Sequence, residues 1–116
     1  MSPENLVASL RTIVITAAVN DLTRQLEKPP GRRPAPEHVQ RSDWYNRLSE
    51  DDRAVVRAIV ADAAEATMFG ALCVLDGARA VHPPSEGRLE LSFVSSESKT
   101  LLTASDGAGV ALHELL

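Results

Sequence analysis

Aromatic side chains are scarce: Trp44, Tyr45, Phe69 and Phe93 are the only ones in 116 residues. Any core must therefore be filled by Leu, Val, Ile and Ala, which favours helices packed through small side chains. A single cysteine, Cys73, excludes an intramolecular disulfide and fits a reducing compartment. No unbroken apolar run approaches the roughly 20 residues that cross a bilayer. The opening Met1-Ser2-Pro3-Glu4-Asn5 lacks the basic start of a secretory signal. These absences lead to the expectation of a cytoplasmic protein with no membrane partner. Positive charge is not in excess either: the net charge is −4, which argues against a nucleic-acid partner.

Hydrophobic residues make up 44% of the chain, enough to exclude wholesale disorder. The length suits a single α+β domain spanning 1–116. Ser2 as N-cap, Pro3 in the first turn and Glu4 beside the dipole predict a helix. It should run to about Lys28, where Pro29-Pro30-Gly31 stops it. At 100° per residue, Asn5, Ser9, Thr12, Thr16, Asn20, Thr23 and Glu27 form one polar strip. Apolar residues fill most of the remaining circumference, wider than the arc of an ordinary surface helix. The β-branched run Thr12 to Thr16 has a rival reading as a strand.

Residues 29–41 read as a Pro/Arg-rich linker, followed by a short helix from Asp43 to Leu48 capped by Ser42. Ser49-Glu50-Asp51-Asp52 has the form of a capping box and starts a long helix to about Leu75. Its expected core face holds Val55, Val56, Ile59, Val60, Ala63, Ala66, Gly70, Cys73 and Val74. An alternative makes Leu72 to Leu75 a strand turning at Asp76-Gly77. Beyond it, Leu89, Leu91 and Phe93 alternate with polar residues as a half-buried strand. Ser95 to Ser98 should turn it into a return over Thr100 to Thr103. Ala104 to Gly107 break the chain, and the tail is a short helix or a last strand.

The chemistry-bearing residues do not converge. His38, His82 and His113 are scattered and lack the paired spacing of a zinc site, so no metal or cofactor is expected. Cys73 lies on an apolar face, where a thiol behaves as a small hydrophobe. No Gly-x-Ser-x-Gly elbow occurs. Gly107-Ala108-Gly109 lacks the lysine of a phosphate loop and reads as a turn. Glu50, Asp51 and Asp52 suit the helix dipole, Asp62 and Glu65 a solvated face, and Asp76 a turn. Trp44 and Tyr45 diverge by about 100° on a helix, so one can anchor while the other faces out. Tyr45 beside Arg47 is the candidate for the outward, partner-binding role.

Three stretches have a further meaning together: Trp44 to Asp52, Phe69 to Gly77, and Leu112-His113-Glu114-Leu115. A capped acidic helix, a terminal Leu-Asp-Gly, a hairpin and a closing Leu-His-Glu-Leu resemble small uncharacterised bacterial proteins, some of them immunity-like. The resemblance covers residues 44–116, implies a toxin-binding role and carries no functional residues over.

The sequence thus predicts two long packed helices, a short helix and a small antiparallel β-hairpin. Its leading function is a non-enzymatic protein-binding module, toxin-neutralising or regulatory, acting by steric masking. Residues 1–41 carry six basic and four acidic groups (+2), and residues 42–116 six and twelve (−6). That asymmetry gives a basic partner an acidic surface at Glu50, Asp51, Asp62 and Glu65, with Tyr45 and Arg47 beside it. The alternative is a small-molecule or enzymatic pocket using Asp76, His82 or His113. The first helix should also leave Ile15, Val19, Leu22 and Leu26 uncovered and form a homodimer through them.

Overall fold

The computed structural model describes residues 1–104 and 109–116. The chain is mostly helical, with one small antiparallel sheet. Helix α1 (Pro3–Leu10) begins as the sequence requires: the Asn5 amide donates to Ser2 Oγ at 3.1 Å, and Pro3 stands in the first turn. Arg11–Thr16 continues as a π-helical segment, and α2 (Ala17–Glu27) follows before the Pro-Pro-Gly stop. The β-branched run is therefore neither strand nor ordinary helix. Its wider turns admit an extra residue and shift the faces beyond it. Ile15 is buried, Val19 and Leu26 are half-buried, and Leu22 is exposed, so the expected uncovered row is broken. The most exposed large apolar residue here is Ile13, at 70%.

Helix α3 (Pro36–Arg47) starts inside the stretch expected to be linker, because Pro36 occupies a first-turn position where no amide hydrogen is needed. Ser42 is thus in mid-helix and buried, not an N-cap. Helix α4 (Glu50–Leu75) is continuous over 26 residues, so Leu72 to Leu75 is helix. It ends in a Schellman motif: Gly77 at φ +77°, its amide bonded to the Val74 carbonyl at 3.2 Å, and the Ala78 amide to that of Cys73 at 2.9 Å. The stretches Pro3–Glu27 and Glu50–Leu75 are long and apolar enough to cross a membrane by length and composition alone. The expectation from unbroken runs missed this because a helix of that length tolerates a few scattered charges.

Two compact units are distinguished. One comprises Met1–Ile13 and Ala66–Leu116. Its centre is Val7, Leu72 and Leu112, with Leu6, Leu10, Met68, Leu75, Leu91, Leu115 and Leu116 around them. Strands β1 (Ser92–Val94) and β2 (Lys99–Leu101) pair Ser92 with Leu101, Phe93 with Thr100 and Val94 with Lys99. The hairpin is shorter and more exposed than its alternation predicts: Leu89 and Phe93 face solvent, and only Leu91 is half-buried. The tail forms a 3₁₀ turn, Leu112–Leu115, and Arg11 donates to the carbonyl of Leu116. The expected break over 104–107 and the Gly107-Ala108 part of the following turn fall on residues 105–108, outside the described residues.

The other unit is Val14–Glu65. Here α2 packs on α3, and the C-terminal carbonyl of α2 is satisfied from the neighbouring helix. Asn46 Nδ2 donates to the Glu27 carbonyl at 2.9 Å and Ser42 Oγ at 3.4 Å. Among its described residues, only Ile15, Ser42 and Tyr45 are buried.

Candidate functional site

The aromatic pair resolves opposite to the expectation. Tyr45 is wholly buried, and Trp44 stands 47% exposed. The reason is the longer α3, which turns Ser42 and Tyr45 inward one after the other, three residues apart. The Tyr45 hydroxyl accepts from Arg57 Nη1 on α4 at 2.9 Å. Tyr45 therefore backs the site from inside and offers no surface, while Arg47 is exposed as expected.

Ser49 caps α4: the Asp52 amide donates to its Oγ at 3.1 Å. Glu50 is exposed but engaged, with Arg57 Nη2 at 2.8 Å and Arg53 Nη2 at 3.4 Å. The hydrogen bond from Arg57, then the charge of Arg57 and the weaker charge of Arg53, hold the Glu50 carboxyl below its ordinary range. The same bond, with that to Tyr45, raises Arg57.

These contacts orient the first four turns of α4. At 100° per residue, Glu50, Arg53, Arg57, Val56 and Val60 share the side turned towards α3 through Arg57. Val55, Ile59 and Ala66 lie on the opposite side, and Ala63 falls between the two, about 20° from Val56. Val55 is 57% and Ile59 62% exposed, and both alanines are exposed. The expected core face is therefore split. Apolar side chains look out to solvent, while Arg57 meets the neighbouring helix. Asp51, Asp62 and Glu65 line one edge of their strip and are exposed. The structure thus brings Glu50, Asp51, Asp62 and Glu65 to one end of α4 but divides their roles. Glu50 is tied to Arg57, and the other three border an apolar surface that reading α4 as a core helix missed.

A second cluster joins residues 37 apart in sequence. Asp76 Oδ2 accepts both the backbone amide of His113 at 2.8 Å and its Nδ1 at 2.7 Å. The His113 ring meets Phe69 edge-on, with centroids 5.5 Å apart. Asp76 Oδ1 is buried without a hydrogen-bond partner among the described residues. The turn role assigned to Asp76 holds, since it precedes the positive-φ Gly77, but nothing local announces its hold on His113. His82 bonds instead to the adjacent Pro83 carbonyl, and no group of three metal-ligating side chains occurs among the described residues.

No family model, curated protein or solved structure matches this chain.

Proposed function

We propose that the chain is a non-enzymatic protein-binding module, toxin-neutralising or regulatory, that masks a basic partner. One observation carries this reading: α4 holds the branched Val55 and Ile59 in solvent while Arg57, on the other side of the helix, reaches Tyr45 of α3. A row of exposed branched residues edged by carboxylates has the pattern of a docking face, apolar at the centre and charged at the rim. Its acidic edge steers basic partners. Self-pairing of this strip is disfavoured. In a two-fold antiparallel pair each edge meets its own copy, so Asp51, Asp62 and Glu65 would oppose one another. Of the row expected to form a homodimer, Ile15, Val19, Leu22 and Leu26, only Leu22 is exposed, so the first helix offers self-association little support. The buried Cys73 is compatible with a cytoplasmic setting.

A designed amphipathic helix with lysines along its polar edge should bind the protein, and its glutamate-edged counterpart should not. Ile59→Glu should abolish the binding, and rising salt should weaken it. Equal binding of both peptides would overturn the reading, and insertion of α4 into neutral vesicles would replace it with a membrane role.

The second reading is a small enzymatic or ligand-binding centre, favoured by the Asp76–His113 pair. A carboxylate on Nδ1 fixes the imidazole and leaves Nε2 as a base. Loss of a measured turnover in His113→Ala would establish it.

A further inference from the structure

We infer that the turn after α4 holds a binding site for a small monocarboxylate with an apolar body. The observation is a cavity of about 260 Å³ bordered by Val74, Gly77, Arg79, Val81, His82 and Leu89. At about 30 Å³ per water-sized group, it takes a ligand of roughly eight such groups. Val74, Val81 and Leu89 supply apolar wall. Arg79 and Arg88 supply positive charge, Arg88 being already paired with Glu90.

The Arg79 side chain is exposed, and its guanidinium runs back across the helix. It lies over α4 at Gly70, where an added Cβ would stand 2.8 Å from Nη1. Gly70 is buried, and the Arg79 amide is tied to the Cys73 carbonyl at 3.2 Å. No ion pair or hydrogen bond engages the Arg79 side chain among the described residues, in a C-terminal region that is otherwise acidic. Every other arginine that pairs in this unit has a carboxylate or carbonyl: Arg88 meets Glu90 at 2.9 Å, and Arg11 the Leu116 carbonyl. An arginine fork beside apolar wall, with no acceptor among the described residues, suits a bidentate carboxylate. The His82 ring donates Nδ1–H to the Pro83 carbonyl at 3.0 Å, which leaves Nε2 as its free nitrogen at the cavity border. The site is separate from the α4 docking face and from the Asp76–His113 pair, and it stands whether or not those readings hold.

Benzoate, with butyrate as the aliphatic probe and benzamidine as a cation of benzoate's shape, tests this by amide chemical shifts. Benzoate should move the signals of Gly77, Arg79, Val81 and Leu89 and saturate in the millimolar range, whereas benzamidine should not. Arg79→Gln should weaken benzoate about tenfold or more, the effect of losing one charge-assisted bond. Gly70→Ala changes no cavity residue and favours the helix, yet must push the guanidinium aside, so it should weaken benzoate several-fold in a fully folded protein. Equal binding of benzamidine, or no effect of either substitution, overturns the site. No shift with either carboxylate does the same, with unchanged circular dichroism confirming that the variants fold.

Discussion

Arg57 of α4 reaches Tyr45 of α3 with one guanidinium nitrogen, at 2.9 Å, and Glu50 on its own helix with the other, at 2.8 Å. A wholly buried phenol and an exposed carboxylate are thereby joined through a single side chain. Tyr45→Phe keeps the ring and deletes the hydroxyl, and should cost about 1 kcal/mol. Tyr45→Ala empties the site and should cost about 3–5 kcal/mol. Urea midpoints of the two variants check the ordering, and equal losses would mean that the ring contributes no packing.

The same arrangement gives stability a pH dependence at Glu50. Its carboxyl is held below the ordinary value of 4.5 by the Arg57 hydrogen bond, then by charge. A group depressed on folding stabilises fully above its unfolded value, and that contribution disappears as pH falls through the folded one. Glu50→Gln should therefore melt below the parent protein at neutral pH, and the two should converge as pH drops beneath 4.5. A gap independent of pH would show that the charge of Glu50 plays no part.

At the start of α4, Ser49→Ala leaves the Asp52 amide without its 3.1 Å acceptor. The expected loss is about 1 kcal/mol. An unchanged urea midpoint would place the effective start of the helix elsewhere.

Asp76→Ala should cost about 1–3 kcal/mol, because it removes the acceptor of the part-buried His113 amide. Hydrogen exchange at that amide should accelerate together with exchange across Leu112–Leu115. Acceleration confined to residues around Gly77 would show that the tail is held by its leucines alone.

Cys73 is buried on α4. Thiol labelling of the native protein should be slow and rise sharply in denaturant. Rapid native labelling would mean that this end of α4 opens readily.

Local chemistry was legible in the sequence. Ser2, Ser49, the Pro-Pro-Gly stop and Gly77 act through hydrogen bonds and backbone angles a few residues away, so both long helices begin and end where those residues require. Pro36 marks the limit of such reading: it breaks a helix placed inside one and starts a helix placed at its first turn, and only the fold selects between them. The inward turn of Tyr45 instead of Trp44, the outward strip of Val55 and Ile59, the offset made by the π turns and the grip of Asp76 on His113 were all decided by tertiary structure. Each depends on a partner distant in sequence or on an accumulated rotation. Periodicity states that a helix has an apolar side, but the direction of that side is set by what packs against it. On α4 that was an arginine reaching a buried tyrosine, which left the valine and isoleucine facing water.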